Sequence, residues 1–471
     1  MPALSIQDQV AQRLTPLLRS ACSRSARLGR PVLASYTGHL GPAADFDPAA
    51  LVTQTDAFVW EQPDRGFAMA SAGHAVRFTG VGAARFEDVR RGLEAVLEDA
   101  VVFQESGAAL RAAPVSIGGF AFDPHRPDAV AWFGYPDALI AIPRIMFLRA
   151  GSHLFLTVNA LADADTDVAA EAGNLAALSR RLAGEARGVA PEAGSSCLLD
   201  PGADARDLWA ESVIALTDHI ASGRPDKAVL ARRVSVETEE TFDARAVLTR
   251  LRERFRQCTV FAMRAGEACF LGATPETLVS LHGDRVRADC LAGTARRGKT
   301  DAEDARIGAE LEADDKERRE HAFVARGITE ALAGVASEVR AAETPALRRM
   351  ANVQHLHTPI EARTDDKRHI LELVDLLHPT AATAGLPKEA ALCLIREQEP
   401  FSRGWYAGPI GWIDAEGGGE FAVALRSGLL RDEVATLYAG CGIVQGSEPE
   451  REWVESEIKL EAMLWALNAS R

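Results

Sequence analysis

Two pairs of glutamates stand three residues apart in segments whose pattern predicts a helix. Glu317 and Glu320 lie in DDKERREHAFVARGITEAL, and Glu452 and Glu455 lie in EREWVESEIKLEAML. This spacing puts each pair on one face of its helix, with Cβ atoms about 5–6 Å apart. If the two faces meet across a cleft, four carboxylates converge, an arrangement that suits a hard divalent cation such as Mg²⁺. For either helix alone, a solvated charged face is the alternative.

A lysine and a further glutamate are candidates for acid–base chemistry. Lys227 opens the run Lys-Ala-Val-Leu-Ala-Arg, which predicts a strand. Burial there would lower the pKa of the lysine and make it a general base, whereas an edge-strand lysine that discourages aggregation is the alternative. Glu276 follows a predicted strand at the tip of a turn, where partial burial would make it a general acid. The alternative for Glu276 is an acidic residue at a helix N-terminus after Thr274 and Pro275.

Other residues are of types that hold a carboxylate. Arg426 ends the strand-like run Phe-Ala-Val-Ala-Leu-Arg and suits bidentate recognition of a carboxylate. Lys459 follows Glu455 by four residues and either pairs with it or reaches for a substrate carboxylate. The glycine-containing turns at Leu291-Ala-Gly-Thr294 and Tyr438-Ala-Gly-Cys-Gly-Ile-Val444 let a ligand approach backbone N–H groups.

A dinucleotide site and a zinc site find little support in the sequence. Gly440, Gly442 and Gly446 leave three residues before the last glycine, where the dinucleotide fingerprint has two. His355 and His357 have no cysteine partner and no further histidine at metal-ligand spacing. We expect both histidines on one face of a strand beside the site.

The elements that must position these residues are short strands mixed with long helices. A segment rich in Gly, Pro, Ala and Ser at 185–207 predicts a linker or an exposed crossing between an N-terminal part, 1–200, and a catalytic part, 205–471. One long helix is predicted at 302–333, and a hairpin is predicted around 414–420. Because the chain lacks a regular alternation of strand and helix, the pattern predicts an α+β fold with mainly antiparallel sheets.

The composition excludes several classes of protein. The chain has 471 residues, with 52 Lys plus Arg against 67 Asp plus Glu, so its formal net charge is −15. A nucleic acid or an anionic membrane surface is therefore not an expected partner. No run approaches the ~18 apolar residues of a membrane helix, and residues 1–20 predict an amphipathic helix. The seven cysteines form no Cys-x-x-Cys pair, which predicts reduced thiols in a cytoplasmic protein.

The order of these groups along the chain resembles that of the chorismate-utilising enzymes, which include anthranilate, aminodeoxychorismate, isochorismate and salicylate synthases. The similarity covers roughly residues 208–465. It consists of nine ordered blocks: Lys-Ala-Val-Leu-Ala-Arg232, Gly-Ala-Thr-Pro-Glu276, Leu-Ala-Gly-Thr294, Asp-Lys-Glu-Arg-Arg-Glu-His321, Val-Gln-His-Leu356, Leu-His-Pro-Thr380, Arg-Gly-Trp-Tyr-Ala-Gly408, Val-Ala-Leu-Arg426 and the segment from Glu452 to Lys459.

The resemblance implies a fold, a ligand and a metal. The fold is an α/β sandwich of two mainly antiparallel sheets flanked by helices, with one chorismate and one Mg²⁺ in a cleft. Glu320 and Glu455 would hold the metal, and Glu317 and Glu452 would support it. The residues implied to bind the substrate are Gly293, Thr294, His355, Ala382, Tyr406, Arg426, Gly440 and Lys459.

The resemblance also separates the branches of the family by the nucleophile that attacks the ring. The aminodeoxychorismate branch has a lysine before the glycine that aligns with Gly293, and Ala292 offers no amine there. The anthranilate branch typically has glutamine at the position of Lys227 and uses ammonia, whereas water-using members have lysine. Salicylate synthases commonly have threonine at the site of Ala382, so the alanine favours a reaction that stops at isochorismate.

The implied activity is that of an isochorismate synthase. Lys227 would activate water for attack at C2 of chorismate, and Glu276 would assist the loss of the C4 hydroxyl. The segment Phe58-Val-Trp-Glu-Gln-Pro-Asp-Arg-Gly66 resembles the longer members that serve menaquinone biosynthesis. A salicylate synthase and a siderophore-pathway isochorismate synthase are the alternatives. We expect a monomer without a glutamine amidotransferase subunit.

Overall fold

The computed structural model describes residues 5–105, 113–125, 130–188, 192, 194–199, 202, 204–223 and 225–470. Within these ranges the chain forms α-helices, short 3₁₀ helices and β-strands. The α-helices are α1 (Ile6–Leu28), α2 (Arg85–Glu98), α3 (Val168–Glu185), α4 (Ala205–Ala221), α5 (Ala244–Arg254), α6 (Asp301–Ala313), α7 (Asp315–Ala333), α8 (Ile370–Leu377), α9 (Lys388–Gln398) and α10 (Pro449–Ala466). The 3₁₀ helices are Pro48–Thr53, Pro63–Arg65 and Gly82–Ala84.

Runs of consecutive strands separate many of these helices within the described residues. They are β1 (Val32–Pro42), β2 (Phe58–Gln62), β3 (Phe67–Gly80), β4 (Val101–Gln104), β5 (Ser116–Phe120), β6 (Ala138–Ala150), β7 (His153–Ala162), β8 (Ser196–Leu198), β9 (Lys227–Thr238), β10 (Thr259–Ala265), β11 (Ala268–Thr274), β12 (Thr277–His282), β13 (Arg285–Arg296), β14 (Ser337–Ala341), β15 (Ala346–Arg349), β16 (Val353–Arg363), β17 (Gly385–Leu386), β18 (Pro409–Ile413), β19 (Gly419–Val423), β20 (Ser427–Arg431), β21 (Val434–Val444) and β22 (Ala469–Ser470). The predicted α+β class is confirmed.

The prediction of one long helix at 302–333 was wrong, because two helices meet there. Asp314 has an extended backbone, with φ −72° and ψ 115°, and so ends α6. Its side chain then accepts hydrogen bonds from the backbone N–H groups of Lys316 and Glu317, which caps the N-terminus of α7. The predicted hairpin is confirmed: β18 pairs antiparallel with β19, and Asp414 Oδ1 accepts a hydrogen bond from Gly418 N in the turn.

Two series of hydrogen-bonded strands diverge at β6 and form the two sheets. The first runs β9, β21, β20, β11, β10, β2, β3, β6, β7, β1 and β4. The second runs β6, β5, β18, β19, β12, β13 and β16, with β14 and β15 also on β16. All these pairs are antiparallel except β1 with β4.

Strands β3 and β6 pair with each other along most of their length and belong to both sheets. The early part of β6 pairs with β5, whereas its later part pairs with β7. Pairing also joins the N-terminal part of the chain to the catalytic part, because β2 pairs with β10 and β5 with β18. The predicted crossing at 185–207 contains β8, which pairs with β9, and several of its residues lie outside the described ranges.

The largest hydrophobic core lies between the two sheets. It contains Trp60 and Phe270 from the first sheet together with Phe120, Ile410 and Phe421 from the second. Full burial of each such side chain contributes about 1.5–3 kcal/mol to stability. Helix α7 packs on β13 and β16, and α10 packs on β21, so the two acidic helices lie over neighbouring edges of the sandwich. None of the helices in the described ranges has the length and apolar content needed to cross a bilayer.

Candidate active site

One cleft collects most of the predicted site residues. All eight predicted substrate-binding residues line it, as do Glu276, Glu320 and Glu455: the eight are Gly293, Thr294, His355, Ala382, Tyr406, Arg426, Gly440 and Lys459. The other three predicted residues, Lys227, Glu317 and Glu452, do not line the cleft. The contacts described below join these three residues to the residues around the cleft.

The acidic faces of α7 and α10 meet through a lysine. Lys316 Nζ lies 2.9 Å from Glu452 Oε1 and 3.3 Å from Glu317 Oε1. Burial opposes the charged form of this lysine, but the two glutamates outweigh that effect and raise its pKa. Burial and the nearby Glu320 raise the pKa of Glu317. The two helix faces therefore meet, with a cation of the protein itself between Glu317 and Glu452.

Lys227 and Glu320 form the second buried contact. Lys227 is 0% exposed, and its Nζ lies 2.9 Å from Glu320 Oε1. The amine has no partner in hydrogen-bond geometry, so the contact is an ion pair rather than an aligned hydrogen bond. Burial works against the charged form of Glu320, but Lys227 and Lys316 outweigh it and lower its pKa.

Gly442 gives this ion pair its space. A Cβ at position 442 would lie 2.2 Å from Glu320 Oε1 and 2.9 Å from Lys227 Cε, which real structures do not tolerate. Strand β21 pairs Gly442 with Val229 on β9, two residues after Lys227. The glycine therefore allows these side chains to approach as closely as they do, and its spacing alone did not indicate that role.

Lys459 contacts both α10 and β21. Its Nζ lies 2.5 Å from Glu455 Oε1 and donates a hydrogen bond to the carbonyl oxygen of Gly440 at 2.8 Å. Burial disfavours the ammonium, but Glu455 outweighs burial and raises the pKa of Lys459. Of the two alternatives from the sequence, pairing with Glu455 is the one observed. The lysine also lines the cleft and can still meet an anionic ligand.

Glu276 is a buried carboxyl group in the connection from β11 to β12. No helix begins there, so the alternative of a helix N-terminal residue was wrong. The backbone N–H of Glu276 donates to Thr274 Oγ1 at 3.3 Å, which holds the turn, but its side-chain Oε1 has no hydrogen-bond partner. Burial, followed by the charge of Asp289, raises the pKa of Glu276 to about 8. Glu276 is therefore protonated at neutral pH and can donate a proton.

Arg426, His355 and Thr294 form a chain along one wall of the cleft. Arg426 Nη2 lies 3.4 Å from His355 Nε2, and His355 Nδ1 lies 3.1 Å from Thr294 Oγ1 and 3.2 Å from Gly293 O. Because a guanidinium only donates, we infer that His355 accepts at Nε2 and carries its proton on Nδ1. Burial and Arg426 lower the pKa of His355 well below its usual value, so the ring is neutral.

The backbone of Arg426 is in an unusual conformation for a side chain of its size. Its φ is +49°, in the left-handed region, which costs about 1 kcal/mol or more for a residue other than glycine. Strain of this kind is found where a side chain must be aimed precisely, and Arg426 points into the cleft beside Tyr406 and Gly440. A Cβ on Gly440 would approach Tyr406 Oη to 3.3 Å.

Arg403 is a cleft residue to which the sequence assigned no role. It forms a buried ion pair with Glu399 and donates to the carbonyl oxygens of Thr383 at 2.8 Å and Val229 at 2.7 Å. Glu399 Oε1 accepts in turn from the backbone N–H of Ala231. The pair therefore ties the loop that carries Ala382 to strand β9. Position 403 stood in one of the resembling blocks, but only the long-range contacts reveal this function.

The acidic residues fit a hard divalent cation. Glu320 and Glu455 present carboxylate oxygens to the cleft, and Glu452 Oε2 is buried without a hydrogen-bond partner. Oxygen donors of this kind are the ligands that Mg²⁺ prefers. In the part of the chain that the structure describes, Cys441 Sγ and one oxygen each of Glu452 and Glu455 lie within 4.8 Å of one another. Burial raises the pKa of Cys441 well above its usual value, and Mg²⁺ prefers oxygen to sulfur ligands, so the two glutamates are the candidate donors.

Comparison with known proteins agrees with this geometry. The sequence profile of the family described as chorismate binding enzyme matches residues 20–468. The chain belongs to the chorismate-binding enzyme family. It is 37% identical over 476 residues to the salicylate biosynthesis isochorismate synthase of Pseudomonas aeruginosa, covering 100% of this chain and 97% of that one. It is 34% identical to the isochorismate synthase MenF of Bacillus subtilis, covering 96% and 97%.

The fold is that of the chorismate-binding enzymes as well. The structure of MenF, the menaquinone-specific isochorismate synthase from Escherichia coli, superposes with a TM-score of 0.76 at 26% identity. The similarity covers 96% of this chain and 99% of that one. The resemblance read from the nine sequence blocks is thereby confirmed at the level of family and fold, and the chain is an enzyme of this family.

Proposed function

We propose that this enzyme converts chorismate to isochorismate with the help of Mg²⁺. The observation that carries the proposal is the presence of two groups: Glu276, a carboxylic acid of the cleft kept protonated by burial, and Lys227, a buried amine at the position that decides the nucleophile, which contacts the cleft residue Glu320. A reaction that adds water at one carbon and expels hydroxide from another needs both a base and an acid.

Binding of the substrate rests on the cations of the cleft. Chorismate carries carboxylate groups, and Arg426 and Lys459 offer their positive charges on the same cleft wall as the backbone at Gly440. A planar guanidinium binds a carboxylate through two parallel hydrogen bonds, which also fixes its orientation. The contact of Arg426 Nη2 with His355 Nε2 would orient the guanidinium before the substrate arrives.

The proton balance assigns the two reacting groups. Lys227, in its neutral form, takes a proton from the water whose oxygen bonds to C2, the ring double bonds shift, and the C4–O bond breaks. Glu276 gives its proton to the departing hydroxyl, which leaves as water. Each such group contributes roughly 10²–10⁴-fold to the rate. Before the reaction, Lys227 Nζ faces Glu320, so action as a base requires the amine to leave this carboxylate.

The acidic residues of α7 and α10 would hold the metal. Glu320 and Glu455 are the proposed ligands, with Glu317 and Glu452 in support. Bound Mg²⁺ would orient the ring carboxylate and stabilise the charge that develops on it. A cation at this position would compete with the ammonium groups that now pair with the same carboxylates.

Two small side chains favour isochorismate as the final product. Ala292 offers no amine for covalent attack on the ring. Ala382 lines the cleft and has no hydroxyl group. Salicylate synthases commonly have threonine at this position. Water as nucleophile also removes the need for a glutamine amidotransferase subunit, and we propose a cytoplasmic enzyme that acts alone.

We further propose menaquinone biosynthesis as the pathway, supported by similarity to the two MenF proteins and by the segment 58–66. Salicylate biosynthesis is the second candidate, because the relative from Pseudomonas aeruginosa is named for it. Deleting the gene and measuring both compounds separates them. Loss of menaquinone supports the first pathway, and loss of salicylate with menaquinone intact supports the second.

The activity is tested by incubating the purified chain with chorismate and Mg²⁺, with and without ammonium, and separating the products by chromatography. Isochorismate alone in both incubations is the expected result. Salicylate with pyruvate would place the chain among the lyase-competent members. Anthranilate that forms only with ammonium would overturn the role given to Lys227.

A further inference from the structure

An aspartate, a histidine and an arginine form a compact cluster near the proposed acid. Asp289 on β13 has Oδ1 2.8 Å from His357 Nε2 on β16, and Oδ2 3.3 Å from an Nη atom of Arg348 on β15. None of the three lines the active cleft. Neither the acid nor the base of the proposed reaction is among them, so the chemistry described above leaves this cluster unused.

The cluster contacts the chain at the residue that follows the acid. Asp289 Oδ2 accepts from the backbone N–H of Thr277 at 3.4 Å, and that peptide group joins Thr277 to Glu276. Pro275 lines both the active cleft and a second depression, to which Thr277 and Arg348 also contribute. Asp289 therefore contacts the Glu276 segment without lining the active cleft.

We propose that Asp289 is a positioning residue that keeps Glu276 protonated, and that His357 and Arg348 hold Asp289 in its anionic form. The proposal rests on the proposed function only in naming Glu276 as the acid. A nearby negative charge disfavours ionisation of a second carboxyl group, since two like charges repel in a medium of low dielectric constant.

The charges that face Glu276 explain why such a residue is needed. Three cationic side chains lower the pKa of Glu276. They are Lys227 on β9, which is the proposed base, and Arg426 before β20 and Lys459 on α10, which are proposed to bind the substrate. The thiol of Cys290, next to Asp289, is neutral because burial raises its pKa. Burial and Asp289 outweigh the three cations. The negative charge of Asp289 thus helps Glu276 to stay protonated although cations surround the substrate site.

Asp289 itself is held as an anion. Burial works against its charge, but the hydrogen bond from His357 and the charge of Arg348 outweigh burial and lower its pKa. Both partners lie in the second sheet. His357 is on β16, which pairs with β13, and Arg348 is on β15, which pairs with β16. The carboxylate is therefore charged over the pH range in which Glu276 must remain protonated.

The test compares pH profiles of kcat/KM for the wild-type enzyme and Asp289→Asn. Without the negative charge, the basic limb moves to lower pH by about one pH unit, while activity at low pH stays near that of the wild type. A purely structural defect would instead lower activity at every pH. An unmoved basic limb, or a uniform loss, would overturn the proposal.

Arg348→Gln is the matched variant at a half-buried position. It leaves the Asp289 carboxylate and its His357 partner in place, so the basic limb is expected to move by less than in Asp289→Asn, and a shift as large as that of Asp289→Asn would contradict the proposal. Direct titration of the Glu276 carboxyl by ¹³C NMR, assigned with Glu276→Gln, needs no turnover. A lower pKa of Glu276 in Asp289→Asn, together with no isochorismate formed by the wild-type enzyme, would refute the proposed function alone, whereas an unchanged pKa refutes this inference alone.

Discussion

Lys227 and Glu320 lie 2.9 Å apart, a wholly buried amine against a carboxylate that opens onto the cleft. The proposed base and a proposed metal ligand therefore share one contact before substrate binds. Gly442 is the residue that leaves room for both, since any β-carbon there would overlap the Glu320 carboxylate. Occupancy of the metal site and freedom of the base are thus coupled through a single ion pair.

Lys227→Ala should lose turnover while the chain still folds. Removing the base is expected to lower kcat by roughly 10²–10⁴-fold. Glu320 would lose its buried partner, so the melting temperature should fall as well. Product formation and circular dichroism measure the two effects. Lys367→Ala, at an exposed position, is the control and should behave as the wild type. Substantial activity in Lys227→Ala would contradict the proposal that Lys227 is the base.

Activity should decrease as the pH rises through about 8. Burial raises the pKa of Glu276 above its usual value, so the proton that it must donate is present below about pH 8 and absent above it. A profile of kcat/KM between pH 6 and 10 measures this limb. Glu276→Gln should be slower by roughly 10²–10⁴-fold and should lack that limb. A wild-type profile that stays flat to pH 10 would contradict Glu276 as the acid.

The glutamates of the two helices should determine the affinity for Mg²⁺. Glu320→Gln and Glu455→Gln each remove one anionic ligand, so both should need a much higher Mg²⁺ concentration for half-maximal activity. Isothermal titration with Mg²⁺ provides a readout that does not depend on turnover. Glu450→Gln changes an exposed residue of the same helix, α10, and serves as the control. Equal Mg²⁺ affinity in all three variants would remove these residues from the metal site.

Lys316→Met should destabilise the chain in a way that Mg²⁺ corrects. The ammonium of Lys316 separates Glu317 from Glu452, and its loss leaves carboxylates facing each other in a largely buried place. Breaking such a pair costs on the order of 3 kcal/mol. Thermal unfolding with and without Mg²⁺ measures the effect. The increase in melting temperature on adding Mg²⁺ should be larger for the variant than for the wild type, and an equal increase would argue against a shared site.

Local spacing was enough to predict the residues whose positions depend on one element. The i, i+3 glutamates fall on one face of α7 and of α10 because helix geometry requires it, and Lys227 begins β9 as expected. Contacts between distant segments could not be predicted in this way. Lys316 contacts Glu452, which is 136 residues away in the sequence. His357 contacts Asp289, which is 68 residues away, because the register of β13 with β16 brings the two together.

The pairing of β2 with β10 and of β5 with β18 determines whether the catalytic half could fold as a separate fragment. An isolated fragment beginning near residue 205 would leave β10 and β18 without β2 and β5, so two strands would present unsatisfied backbone groups as open edges. Such edges recruit other chains and cause aggregation. The first 150 residues therefore complete the sheets of the catalytic half, and a fragment that lacks them should be insoluble rather than a smaller enzyme.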